Sequence, residues 1–258
     1  VKRLSAWLKW RPDDGVAAVS LASYFLLPYL LVQVGNVGLL RRGRDTATSV
    51  ALTFDDGPDP ASTPFVLDAL KKAGVKATFF VVAERMERFP DLARRLVEEG
   101  HEVGLHCYTH RHAWLRSPWD FVYDLWRACA TFEQVLGFSP ALFRPPHGAY
   151  TLVAVLALRL EGLRGVHWTV MGNDWVESMT PERIVRRILA HLEPGGTMVL
   201  HDAGPGANHC VLALPLLLDA LREAGLCPGP VGDLPNVRPE RLGDLRPRLA
   251  RLLRVVTR

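Results

Sequence analysis

The sequence predicts an α/β fold with parallel strands, on three observations. From residue 46 onward, short runs of apolar, β-branched and aromatic residues alternate regularly with segments of helical period. Prolines open several of the helical segments, where a missing N–H costs nothing. Glycines follow most of them, where a left-handed cap suits a residue without a Cβ. The first strand is expected at 49–54 (SVALTF), and a helix at 63–73 carries Pro64 in its first turn and Gly74 behind it. ATFFVV at 77–82 reads as the second strand, followed by a helix at 90–99 opened by Pro90 and closed by Gly100. EVGLH at 102–106 is the third, and the long helix 118–136 runs from Pro118 to Gly137. ALFR at 141–144, GVHWTV at 165–170 and TMVLH at 197–201 supply three more strands, with a weaker seventh at 226–231. Helices at 150–161, 181–191 and 212–224 fill the remaining intervals. Such alternation implies parallel strands, either closed into a barrel or doubly wound.

At 258 residues the chain can bury one sizeable core. The formal charge is a modest +4, with the excess arginine near the two ends. A nucleic-acid groove needs a basic stripe interleaved with aromatics across the body, and none is there, so no nucleic-acid partner is expected. Cys107, Cys129, Cys210 and Cys227 form no C-x-x-C pair, which argues against a structural zinc knot. Residues 16–40 carry no charged side chain and 16–34 are almost entirely apolar, long enough to cross a bilayer. With no small-x-small cleavage signal, an uncleaved membrane anchor is expected within residues 1–45, holding the domain that follows outside the cytoplasm. Lys2, Arg3, Lys9 and Arg11 nearly balance Arg41, Arg42 and Arg44 across it, so charge determines its orientation weakly. The alternative is a buried helix or hairpin packed on a soluble, cytoplasmic domain, which Pro28 and Gln33 keep open. Residues 236–258, with five arginines from Arg241 to Arg254 set among leucines, read as a basic amphipathic helix.

The polar outliers sit where strands end. Asp55 and Asp56 close the first strand, His106 the third and Arg144 the fourth; Asp174 follows the fifth, and His201 and Asp202 end the sixth. In α/β barrels the carboxyl ends of the strands share one rim, so these residues can meet there. Two adjacent carboxylates repel unless a cation is near, which suits one holding a metal while the other moves protons. His106 and His110 lie four apart; on one helical turn they would face the same side and could share that metal. His101 and His112 are expected at the surface or behind the ligands.

Thr53-Phe54-Asp55-Asp56-Gly57-Pro58, His106-x-x-x-His110, Arg144-Pro145-Pro146-His147-Gly148, Asp174-Trp175 and Val199-Leu200-His201 resemble, in order, the five motifs of the polysaccharide deacetylases, the NodB-homology carbohydrate esterases. The resemblance covers roughly 49–234, within a catalytic domain at 46–235. It implies an irregular (β/α)7 barrel, here with an N-terminal apolar helix. It further implies one divalent ion, zinc first with cobalt, nickel or iron also accommodated, held by Asp56, His106 and His110. Asp55 would be the general base, positioned by Arg144, and His201 the general acid, supported by Asp174. The backbone N–H of His147 would stabilise the oxyanion, while Trp175 and Leu200 would wall a slot for the acetyl methyl. The implied reaction removes N-acetyl groups from amino sugars of a peptidoglycan- or chitin-like polysaccharide. A small non-polymeric N-acyl substrate, or a non-catalytic carbohydrate-binding relative, are the competing expectations. The chain departs from the family pattern at Cys107, His147, Met171 and Val199.

Overall fold

The computed structural model describes residues 26–27, 29–35, 37–44 and 46–238. Eight strands form one sheet: β1 (Ser49–Asp55), β2 (Thr78–Val81), β3 (Glu102–Leu105), β4 (Leu142–Phe143), β5 (Arg164–Gly165), β6 (Val170–Met171), β7 (Thr197–His201) and β8 (Cys227–Gly229). Their order is β5-β4-β3-β2-β1-β7-β6, every pair is parallel, and β8 pairs with the first residues of β1. Between the two ends runs the segment 40–43. Leu40 receives a hydrogen bond from His167 and donates one to Gly165, at 2.7 and 2.8 Å, and Gly43 donates to Gly195 at 2.8 Å. The result is a curled parallel sheet with helices outside, consistent with an irregular barrel.

The alternation within β1 explains why. Val50, Leu52 and Phe54 face outward into the large core cluster under the helices, where Phe54 stacks on Phe79 at 4.9 Å. Ala51 faces the other way, into a smaller cluster with Leu40, Phe80, Leu142 and Val166 that fills the inside of the curl. A strand buried on both faces reads as a continuous apolar run, as this one does. Thr53 and Asp55 continue the inward row, and so point a carboxylate up the axis at the carboxyl rim.

The helices are α1 (Thr63–Ala73), α2 (Ala83–Arg88), α3 (Pro90–Glu98), α4 (Pro118–Leu136), α5 (Leu152–Leu160), α6 (Pro181–His191) and α7 (Ala207–Glu223). Side chains of Ser117, Thr151 and Thr180 accept the backbone N–H three residues on, at 3.0 to 3.3 Å, and so cap α4, α5 and α6. Gly74 and Gly137 end α1 and α4 in the left-handed conformation, with φ of 68° and 81°.

Three elements differ from expectation. The expected fifth strand splits in two: Val166 still donates to Phe143 of β4, but Thr169 donates to Thr197 of β7, each at 2.8 Å. One apolar run thus serves two neighbours, and the change of partner breaks the ladder at His167 and Trp168. The six-residue α2 was not expected, being too short to show a period. Helix α7 begins at Ala207, not 212, because the Gly204–Gly206 turn feeds it without a side-chain cap.

Residues 16–25 of the expected anchor and 239–258 of the expected basic helix lie outside the described residues. What is described of the apolar run is not one continuous helix to residue 40. Tyr29–Val34 forms a π-helical segment, Gly38 turns the chain at φ 82°, and Leu39 and Leu40 are buried in the domain. Among the described residues no helix is long and apolar enough to cross a membrane.

Candidate active site

Consecutive strand residues face opposite sides, so Asp55 and Asp56 could not share a site on an unbroken strand. Asp56 adopts φ 81°, which ends β1 and turns its carboxylate back to the same mouth as that of Asp55. Gly57 follows with its N–H on Asp202 Oδ1 at 3.2 Å, and a Cβ there would lie 2.2 Å from Asp202 Oδ2. Only glycine fits that approach. Asp202 also accepts from Thr63 Oγ1 at 2.5 Å, so a buried carboxyl fixes the turn. Burial pushes that carboxyl up to about 7, although Thr63 and the Gly57 N–H oppose the shift. Asp202 does not pair with His201.

His106 and His110 meet Asp56 Oδ1 through their Nε2 atoms, at 3.3 and 2.9 Å. They stand on the loop after β3 and not on a helical turn; Cys107, with φ 67°, reverses the chain between them. The Cys107 side chain packs in the core cluster and stands outside the ligand group, and burial holds its thiol well above its ordinary value. Asp124 of α4 fastens the loop: it accepts the N–H groups of Tyr108 and Thr109 at 2.7 and 3.2 Å and the Thr109 hydroxyl at 2.5 Å. Arg116 pairs with the same carboxylate at 2.9 Å. Burial raises the Asp56 carboxyl, but the hydrogen bonds from the two imidazoles outweigh it and hold the group well below the usual carboxylate range.

One ligand atom from each of Asp56, His106 and His110 lies within 4.8 Å of the others. His106 Nδ1 is 2.7 Å from the Arg144 carbonyl, which accepts its N–H, so Nε2 is the atom that would ligate a metal in place of its contact with Asp56. Two imidazoles and one carboxylate, with positions left for water and substrate, fit a divalent ion such as zinc.

Arg144 is fully buried, and its Nη1 donates to Asp55 Oδ1 at 2.7 Å and to Thr53 Oγ1 at 2.8 Å. Its guanidinium lies over the Phe80 ring at 4.1 Å. Across the mouth, His201 Nδ1 is 2.8 Å from Asp174 Oδ1, while the other oxygen takes the His201 backbone N–H at 2.7 Å. Burial lowers the His201 imidazole, but the hydrogen bond and charge of Asp174 prevail and push it up to about 9. His209 donates to the Asp174 carbonyl at 2.7 Å, and Gly206 leaves room for that carboxylate.

Asp55, Asp56, His106, His110 and His201 line a cavity of about 580 Å³. Trp168, Met171, Trp175 and Val199 form its apolar part, and His147 lines it beside His110. His147 sits at φ 59°, and burial, then the neighbouring imidazoles, push it below its ordinary value. Leu200, expected in the wall, is fully buried in the outer core and lies against Gly172, while Val199 takes its place. The reason is strand alternation: residues 199 and 201 share the inner face of β7, and residue 200 faces the helices. Trp175 stands edge-on to His201 at 5.1 Å. His112 stacks on His147 at 5.1 Å. His101 is instead buried, accepting the Ala77 N–H at 3.2 Å, and burial lowers it to about 4.

Asp124, Asp202 and Trp168 are the functional residues that the motifs did not name. Asp124 left one signal: an acid on the buried stripe of α4 with Phe121, Leu125 and Ala128.

Residues 42–166 match the family model described as polysaccharide deacetylase. A chitooligosaccharide deacetylase of Bradyrhizobium sp. (strain ANU 289) is 36% identical over 189 residues, which cover 69% of this chain and 86% of the relative. A crystallised peptidoglycan N-acetylglucosamine deacetylase superposes with a TM-score of 0.74 at 28% identity, covering 81% of this chain and 98% of that one. A CE4 family pseudoenzyme from Bacillus anthracis superposes with a TM-score of 0.69 at 26% identity, covering 75% of this chain and 67% of that one. With the site geometry, these likenesses make the chain a member of the polysaccharide deacetylase family, a hydrolase of carbon–nitrogen bonds other than peptide bonds.

Proposed function

We propose that this chain removes N-acetyl groups from amino-sugar residues of a peptidoglycan- or chitin-like polysaccharide, releasing acetate. The observation that carries the reading is the pairing of Asp55 with buried Arg144 on one side of the cavity and of His201 with Asp174 on the other, around the Asp56–His106–His110 cluster. A protein that only binds saccharide has no need of a base facing an acid.

A divalent ion held by Asp56, His106 and His110 would supply a Lewis acid for the acetyl carbonyl and for the attacking water. Asp55, aimed by Arg144, takes the proton from that water. The His147 N–H stabilises the oxyanion. His201, with Nδ1–H held by Asp174, presents a protonated Nε2 and gives that proton to the departing amine, which leaves poorly as an anion. Trp175, Met171 and Val199 exclude water around the acetyl methyl. The likenesses to deacetylases named for chitooligosaccharide and for peptidoglycan support an amino-sugar substrate.

Acetate release separates the readings. Chitin fragments and peptidoglycan should yield acetate, whereas small N-acyl amides should yield little. Turnover of small amides alone would replace the substrate assignment, and saccharide binding without acetate would replace the enzyme by a binder. We further infer that the uncharged run 16–34 enters a membrane through its residues ahead of Tyr29, Val32 being buried in the domain core, and holds the domain outside the cytoplasm, where such polymers lie.

A further inference from the structure

We propose that the outer face of α4 and α5 rests on a lipid bilayer surface, beside the N-terminal run, so that the domain lies against the membrane by its flank. Helix α4 exposes Trp119, Tyr123 and Trp126, spaced four and three apart on one face, and Trp119 is 84% exposed. Helix α5 exposes Leu152, Leu156 and Leu160 at intervals of four, the last 87% exposed. Trp126, Leu156 and Leu160 line one shallow groove of about 180 Å³, so the two stripes are contiguous. Single exposed leucines are ordinary, but a joined patch of this kind marks a surface made for contact.

The patch continues into the N-terminal segment. Trp114 Nε1 donates to the Tyr150 carbonyl at 3.2 Å, drawing the start of α4 to the start of α5, and neighbouring Leu115 is 88% exposed. Tyr29 stands edge-on to Trp114 at 5.9 Å. Leu26, Leu27, Tyr29 and Leu30 are each about half exposed there. Before Leu26 the sequence stays uncharged back to Val16. An aromatic and leucine face beside such a run has the composition of a membrane interface, where Trp and Tyr sit at headgroup level. This continuity selects lipid over a second protein. The inference rests on the reading of 16–34 as membrane-entering, not on the chemistry of the cavity.

The test uses the full chain with exposed Cys227 and half-buried Cys129 replaced by serine, reconstituted in phosphatidylethanolamine–phosphatidylglycerol vesicles. Spin labels go on Tyr123→Cys, on Leu160→Cys and, as a control on α1, on Lys72→Cys. Flotation with the vesicles reports the anchor; label relaxation by lipid-dissolved oxygen or by an aqueous nickel chelate reports the face. Labels at 123 and 160 should respond several-fold more to oxygen, and the label at 72 the reverse. Flotation with 123 and 160 open to the nickel chelate would overturn the lipid face and leave the anchor standing. Shielding from both reagents would mean that protein covers the patch, which overturns it equally. Failure to float would remove both, while acetate release could still be intact.

Discussion

Asp55 and Asp56 are one position apart in the chain and have different chemistry. Asp55 is an inward strand residue locked to Arg144, and Asp56 is a left-handed turn residue held by two imidazoles. Asp55→Asn should therefore keep its bound metal and lose turnover roughly a hundred- to ten-thousandfold, the span ordinary for a general base. Metal content and acetate rate measured on the same sample check this, and a fully active variant would remove the base assignment. His201 gives the pH dependence. Its folded value of about 9 lies above the ordinary 6.5, so the protonated acid persists at neutral pH and is lost as pH rises through about 9. The same pair adds stability that is complete below 6.5 and fades between 6.5 and about 9. Asp174→Asn should move the alkaline limb of kcat/KM down toward 6.5, lowering the rate at pH 8 roughly thirtyfold with little change at pH 6. An unmoved limb would show that another group is the acid.

At the scale of elements, the ligands depend on how one loop is fastened. The turn between His106 and His110 carries a left-handed Cys107, and its backbone N–H groups find their acceptor in Asp124 on α4. Asp124→Asn exchanges acceptor capacity for a donor facing those N–H groups. It should weaken metal binding about tenfold to a hundredfold while leaving the fold assembled, as loss of a support behind a ligand does. A metal titration followed by calorimetry reads it, and unchanged affinity would show that the loop holds its shape without Asp124. The contrast with the motif residues shows what sequence makes legible. Asp55, Asp56, Arg144 and His201 stand out because a polar side chain ends an apolar run. Asp124 and Trp168 belong to the same site, but a buried acid within a helix and a tryptophan within a strand pattern look like their surroundings. Only the fold brings Trp168 to the cavity and Asp124 behind the loop that carries the histidines. The split of β5 from β6 was hidden for a related reason: residues 165–170 read as one strand, and the break lies in which neighbour accepts their hydrogen bonds. The resemblance placed Leu200 in the wall, whereas alternation along β7 turns Val199 to the cavity and Leu200 to the helices.

At the scale of the molecule, the eight short parallel strands of the described residues gather side chains from positions 55 to 201 at one rim, while the opposite end and outer flank carry the packing. This division lets the rim hold like charges and left-handed residues, since two apolar clusters elsewhere supply the stability. The central claim is that hydrolysis needs one divalent ion at Asp56, His106 and His110. The direct measurement strips the protein with a chelator, returns zinc stepwise, and follows bound metal and acetate release from chitin fragments together. Rate should rise from near zero to a plateau at one ion per chain, and Asp56→Ala should abolish both binding and rate. A stripped protein that releases acetate at the full rate would contradict the account.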